Sequence, residues 1–254
     1  MLPIKLIGIT LLAVFSSAAL ADEDIGVTPY RPSVSSPAQL PLAGQLELEL
    51  GLLRTKNGEA RRDSLPYQFK LAFNKEWGVL IGGEAYVSDR DEFGHSERGI
   101  GDTAIVIKRA FLLDGSTAIG LELGSKLATA KDTIGSGKID YTLNAVFSKD
   151  IDIVHMDANL NITHVGMQEA GAARNVFGIA TSFSLPITDK WQAVAEPSGT
   201  RQNGKPATAQ LLAALAYSPN KNLTLDFGIA KGLNKASQNY SLFAGLVMPI
   251  AKLW

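Results

Sequence analysis

The sequence predicts an all-β chain, a twelve-stranded antiparallel up-and-down transmembrane β-barrel. Three observations predict it. From residue 45 onward, short segments alternate apolar and polar side chains with the period of two that marks strands. The connections alternate between long (54–63, 88–100, 129–138, 166–174, 198–206, 232–239) and short (74–76, 112–115, 149–151, 187–189, 218–221). Bacterial outer-membrane barrels sort their loops this way, tight on the periplasmic side and long outside the cell, whereas soluble sandwiches have no reason to. Finally, the strand count is even, which leaves both ends of the barrel on the tight-turn side.

Residues 1–21 carry the marks of a signal peptide: Lys5, the apolar run LIGITLLAVF over 6–15, and an A-x-A site at Ala19-Leu20-Ala21. A membrane helix needs about 20 apolar residues, and this run is too short. Any spanning structure in the remainder is therefore a closed barrel, because only closure satisfies strand backbone in lipid. Residues 22–43 open on Asp22-Glu23-Asp24 and hold Pro29, Pro32, Pro37 and Pro41, with Ser33, Ser35 and Ser36 between them. Proline removes ladder donors, so this stretch reads as an extended tail. It is expected to be a loose periplasmic arm, with a plug folded into the lumen as the alternative. The barrel takes residues 44–254.

The strands follow in order. In 45–53, Leu46, Leu48, Leu50 and Leu52 alternate with Gln45, Glu47, Glu49 and Gly51. In 65–73, Tyr67, Phe69, Leu71 and Phe73 oppose Gln68, Lys70 and Ala72, and in 77–87, Trp77, Val79, Ile81 and Val87 oppose Gly82 and Glu84. Residues 101–111 set Ile105 and Ile107 against Asp102 and Lys108, and 116–128 set Ile119, Leu121 and Leu123 against Glu122 and Lys126. In 139–148, Tyr141, Leu143 and Phe147 oppose Asp140, Thr142 and Asn144; in 152–165, Val154, Met156, Leu160 and Ile162 oppose His155, Asp157, Asn159 and Asn161. Residues 175–186 alternate most weakly, with Phe177, Ile179, Phe183 and Leu185 against Ser182 and Ser184. Strand 190–197 sets Trp191, Ala193 and Ala195 against Gln192 and Glu196, and 207–217 sets Leu211, Leu215 and Tyr217 against Gln210 and Ala214. In 222–231, Leu223, Leu225, Phe227 and Ile229 oppose Thr224 and Asp226, and 240–250 presents Tyr240, Leu242, Leu246, Met248 and Ile250 on one face.

A soluble barrel alternates too, with its apolar face inward. Aromatics near strand ends (Tyr67, Trp77, Phe111, Phe147, Trp191, Tyr217, Tyr240) suit an interfacial girdle, and the other face mixes charges with small residues, as a wet lumen requires. Trp254, directly after the last strand, resembles the terminal aromatic sorting signal of such barrels. By parity the pore-lining set is Glu47, Glu49, Lys70, Glu84, Asp102, Lys108, Glu122, Lys126, Asp140, Asn144, His155, Asp157, Asn159, Asn161, Gln192, Glu196, Gln210 and Asp226. Carboxylates outnumber lysines in this set, which predicts a weak preference for cations in a narrow bore.

Composition excludes several classes. With no cysteine there is no disulfide, thiolate metal site or cysteine nucleophile. A net charge of −1 supplies no field for nucleic acid. His95, His155 and His164 lack metal-ligand spacing. Gly99-x-Gly101 is no dinucleotide fingerprint, since Ala104 stands where the third glycine belongs. No metal and no cofactor is expected. Ser148, His155 and Asp157 on neighbouring strands form the one enzyme hypothesis, a lipid hydrolase, and the chain is expected not to be an enzyme. The basic cluster Arg54, Lys56, Arg61 and Arg62 and the acidic cluster Asp89, Asp91, Glu92 and Glu97 read as solvated loop charge. Contact with lipopolysaccharide phosphates and with a divalent cation are the respective alternatives.

Gly99-Ile100-Gly101-Asp102, with Lys108 six residues after the aspartate, resembles a strand opening in a family of outer-membrane transporters labelled as belonging to the MetA pathway of phenol degradation. Arg31-Pro32, then Gly44 and a leucine-rich first strand, resemble that family's approach to its barrel. Gly124-Ser125-Lys126-Leu127-Ala128-Thr129 is similar to its glycine-lysine-leucine-proline-threonine-glycine edge, with Ala128 for the proline and Ala130 for the glycine. The resemblance implies a porin-like uptake channel in the Gram-negative outer membrane, for hydrophobic or aromatic compounds. The expected surroundings are outer-membrane lipid and lipopolysaccharide, the expected cargo a small-molecule solute, and the expected state a monomer. A lipid-modifying enzyme or a non-conducting structural barrel is the competing reading.

Overall fold

A computed structural model describes residues 26–254. The signal-peptide reading of 1–21 and the acidic start of the tail lie outside the described residues. The strands are β1 (Gln45–Asn57), β2 (Ala60–Ala72), β3 (Trp77–Arg90), β4 (Ser96–Gly99), β5 (Thr103–Leu112), β6 (Thr117–Leu127), β7 (Asp140–Ile151), β8 (Val154–His164), β9 (Asn175–Pro186), β10 (Trp191–Gln202), β11 (Thr208–Asn220), β12 (Leu223–Gly232) and β13 (Tyr240–Lys252). Each pairs antiparallel with its neighbours, and β1 pairs with both β2 and β13, so the sheet closes on itself. The short β4 extends only the outer end of β3, through Val87↔Gly99 to Arg90↔Ser96, leaving twelve strands in the wall. The protein is a closed twelve-stranded antiparallel transmembrane barrel.

The alternation fixes the two faces. Along β1 the odd positions Gln45, Glu47, Glu49 and Gly51 are buried inside, and Leu52 points out. Phe69, Ile81, Ile107, Leu123, Leu143, Leu160, Phe177, Ile179 and Phe227 are exposed around the outside, an apolar surface that fits only in lipid. A belt of Phe73, Trp77, Phe111, Trp191 and Tyr217 marks the tight-turn rim. There Trp191 stacks on Tyr217 at 4.7 Å, and the Arg109 guanidinium lies 5.0 Å from the Trp77 ring.

Three local features depart from strict patterning. The connection expected to be long at 54–63 is a two-residue turn, because β1 and β2 run on past the apolar belt to Asn57 and Ala60. Their outer turns are joined by charge, with Arg54 of β1 2.5 Å from Asp63 of β2, which also meets Arg61 of its own strand at 2.9 Å. β10 likewise continues to Gln202, through the stretch read as the loop 198–206. Val87, expected outside, is fully buried inside. The pairing passes from Pro66↔Glu84 to Ser64↔Val87, so β3 carries one extra residue. Pro66 has no N–H to donate, and a bulge beside it reverses parity for everything beyond.

The rim is sealed where the chain ends meet. Gly44 has φ of +79°, and a Cβ there would lie 2.5 Å from the Trp254 carbonyl oxygen, so only glycine fits. The Gly44 carbonyl in turn accepts the Leu253 N–H at 2.7 Å.

Candidate functional site: a lumen occupied by the tail

Residues 26–43 run inside the barrel as a proline-punctuated hairpin. Val27 N–H donates to the Lys221 carbonyl (2.9 Å) at the tight-turn rim, and Gln45 Nε2 donates to the Gly26 carbonyl (3.1 Å). The chain rises past Tyr30 to an apex at Val34 and Ser35, then returns through Ala38 to a bridge between Ala43 and Ala72. Without a ladder of their own, its amides need other acceptors. The wall supplies carboxylates. Thr28 N–H donates to Glu47 (3.1 Å), Tyr30 N–H to Glu49 (2.7 Å), and Val34 N–H and Ser35 N–H to Glu196 (3.0 and 2.9 Å). Ser36 Oγ donates to Glu122 at 2.8 Å, and Ala38 N–H to Ser148 Oγ at 2.7 Å.

Cations complete the packing. Arg31 lies along the wall and grips Asp226 with two bonds of 3.0 Å, its guanidinium lying over Gly51 and Gly245 of the neighbouring strands. Lys70 is fully buried, 3.0 Å from Glu47 and 2.6 Å from Glu49, and also donates to the Thr28 carbonyl. Lys108, equally buried, sits 3.0 Å from Glu122 and donates to the Pro37 carbonyl. The Tyr30 ring lies between these two ammonium groups, 4.4 and 4.3 Å from its centroid. Its hydroxyl donates to the Gln39 carbonyl and ties the two limbs of the hairpin together.

The residues assigned to the pore by parity fall into three groups. Glu47, Glu49, Lys70, Lys108, Glu122, Asp157, Asn159, Glu196 and Asp226 are buried around the tail. Near the loop rim, Glu84 pairs with Arg62 at 2.6 Å, and Lys126 lies between Asp102 and Asp140 at 3.2 and 3.0 Å. Burial opposes ionisation of Asp102, but the Ala130 amide and the Lys126 ammonium outweigh it and hold its pKa below the ordinary value. Half-buried Asn144, Asn161 and Gln210 stand between these groups, and His155 and Gln192 border a cavity of about 290 Å³ beside the tail.

The surplus of carboxylates read from the strands is reduced. Arg31 from the tail and Arg62 join the three lysines, and Glu196 is satisfied by amides. Counting strand lysines alone missed the tail's contribution, whose only sequence signal was an isolated arginine next to a tyrosine.

Ser148 Oγ donates to Asp157, and His155 Nε2 lies 3.1 Å from the same carboxylate. The serine is thus bonded to the acid and not to the imidazole, which is not the linkage that activates a nucleophile. Among the described residues no group of three or more His, Asp or Glu side chains is placed to hold a metal ion. Of the acidic loop cluster, Asp89 pairs with Arg62 and Asp91 with His95.

Above the tail's apex a cavity of about 230 Å³ opens, walled by Asn161, Ser198, Gln210 and Gln238 and floored by Val34. The larger concavity of about 820 Å³ is lined mainly by outward-facing Leu121, Leu143, Leu160, Phe177 and Ile179 and belongs to the apolar outer surface.

The profile of the family described as "Putative MetA-pathway of phenol degradation" matches residues 30–249. The chain belongs to this family. Its match begins at Tyr30, so it takes in most of the lumenal tail together with the barrel. No curated protein matches the chain. Among solved structures it is similar to the NanC porin (10% identity, TM-score 0.57, covering 81% of this chain and 100% of that one). It is also similar to the KdgM porin (9%, 0.56, 81% and 99%) and the β domain of the Bordetella autotransporter BrkA (13%, 0.51, 82% and 100%). At such identities the likeness is one of fold.

Proposed function

We propose that this family member is a monomeric passive channel for small molecules in the Gram-negative outer membrane, surrounded by lipid and lipopolysaccharide and without enzymatic activity. The observation that carries the proposal is the barrel itself: one chain closes a wall that is apolar outside and lined with charges and amides inside. In this reading the tight turns face the periplasm, and residues 26–43 act as a plug in that half of the bore. Passage then requires the hairpin to loosen. The family's description supports hydrophobic or aromatic compounds among the solutes. Conductance in planar bilayers tests the proposal: the wild type should give small, flickering steps, and a variant lacking residues 26–40 should give larger, steady ones. A folded tail-less barrel that passes no current would refute it.

A further inference from the structure

We infer that the loop-side half of the lumen is a binding site for an uncharged, multiply hydroxylated solute of one six-membered ring, the size of a monosaccharide or cyclitol. The inference rests on the channel reading and, at this site, sets a hydroxylated solute in place of an aromatic one. The cavity above Val34 measures about 230 Å³. A cavity of roughly 150 Å³ accommodates benzene, so this one has room for a ring with substituents on several carbons.

The lining fixes the chemistry. None of the residues around this cavity is ionisable. The nearby carboxylates Glu122 and Glu196 are occupied by Lys108, Ser36, Asn144 and the tail amides. An anionic solute would meet no cation and a cationic solute no free carboxylate, so either would lose hydration without recompense. Amides and hydroxyls of Asn161, Ser198, Thr200, Thr208, Gln210 and Gln238 alternate instead with small and apolar side chains, and Gln210 donates to Ser198 at 3.0 Å and accepts from Gln238. A ring with several hydroxyls supplies donors in several directions. A phenol supplies one and would leave the other polar groups facing carbon, which costs about 1–3 kcal/mol for each group left unsatisfied.

Two features shape the site. Val34, at the apex of the tail, is 62% exposed and offers the ring an apolar floor. Gly178 lets the Asn161 amide lie against the wall, since a Cβ there would meet Asn161 Oδ1 at 2.5 Å and push it into the cavity.

Equilibrium dialysis of the detergent-folded protein against radiolabelled myo-inositol and glucose tests the site. Saturable binding of one solute per barrel is expected, with glucuronate, glucosamine and phenol competing at least tenfold more weakly. Ser198→Leu should abolish binding by filling the cavity, and Gly178→Ala should weaken it at least tenfold. Absence of saturable binding by folded protein overturns the site; so does equal competition by a charged solute or phenol, or unchanged binding in Gly178→Ala. If Ser198→Leu fails to fold, the competitors and Gly178→Ala still decide. Conductance is recorded without solute, so its loss alongside intact binding strikes the channel reading alone. Intact conductance without binding strikes this site alone.

Discussion

Replacing Arg31 by methionine isolates what holds the tail. Arg31 is 18% exposed at its side chain and Asp226 is fully buried, so the substitution strands a carboxylate inside the bore. Breaking a buried ion pair by removing one partner costs about 3–5 kcal/mol. The residual exposure of Arg31 lets water reach the site, so a cost just below that range, about 2–3 kcal/mol, is expected. At tenfold per 1.4 kcal/mol this raises the undocked fraction of the tail roughly 30–150-fold. The native chain has no cysteine, which makes a single reporter clean. Ser35 is 2% exposed, and Ser35→Cys is close to isosteric. Its maleimide labelling rate follows the undocked population and should rise by that factor when Arg31→Met is added. Adding Asp226→Leu removes the stranded charge and should restore most of the slow rate, the signature of a coupled pair in a double-mutant cycle. A labelling rate within threefold of the parent in the Arg31→Met background would refute the reasoning.

The tail-less variant should also shift towards cation preference, because Arg31 leaves while Glu196 and Asp226 lose their partners; an anion-selective reversal potential would contradict the charge assignment. Lys70→Met leaves Glu47 and Glu49 buried side by side, and a loss of about 3–5 kcal/mol is expected in urea unfolding. Adding Glu47→Gln and Glu49→Gln should recover much of it. Asp102 has a depressed pKa, so the stability it gives the 128–139 loop is present above the ordinary aspartate value of about 3.9 and is lost as pH falls through the folded pKa below it. Amide exchange at Thr129 and Ala130, both bonded to Asp102, should lose protection only in that acid window, and at all pH values in Asp102→Asn. Gly44→Ala should lower stability by at least about 1–2 kcal/mol through left-handed backbone strain, with further cost from Trp254; an unchanged urea midpoint would discount the rim seal.

The sequence made the barrel legible because period-two alternation and loop sorting both follow directly from a wall between lipid and lumen. It failed where another principle took over. Arg54, Lys56, Arg61 and Arg62 read as loop because alternation of apolar residues stops beyond the bilayer, yet β1 and β2 continue there on the cross-strand pairs Arg54–Asp63 and Arg62–Asp89. The inversion at Val87 comes from a bulge beside Pro66 in the partner strand, which parity counting along one strand does not see. The wall carboxylates were recognisable as inward-facing, but their partners lie in the tail, as far as 195 positions away for Arg31 and Asp226. No local pattern encodes such a pairing; four prolines in a short polar stretch indicate only that its amides will bond outside a sheet.

The tail's anchors also constrain the order of assembly. They are spread around the circumference: Glu49 on β1, Lys70 on β2, Lys108 on β5, Glu122 on β6, Ser148 on β7, Glu196 on β10 and Asp226 on β12. No open sheet presents these groups facing one another. The segment translated before every strand therefore finds its seat only after the last strand has met the first, and its docking becomes a checkpoint on a completed circle.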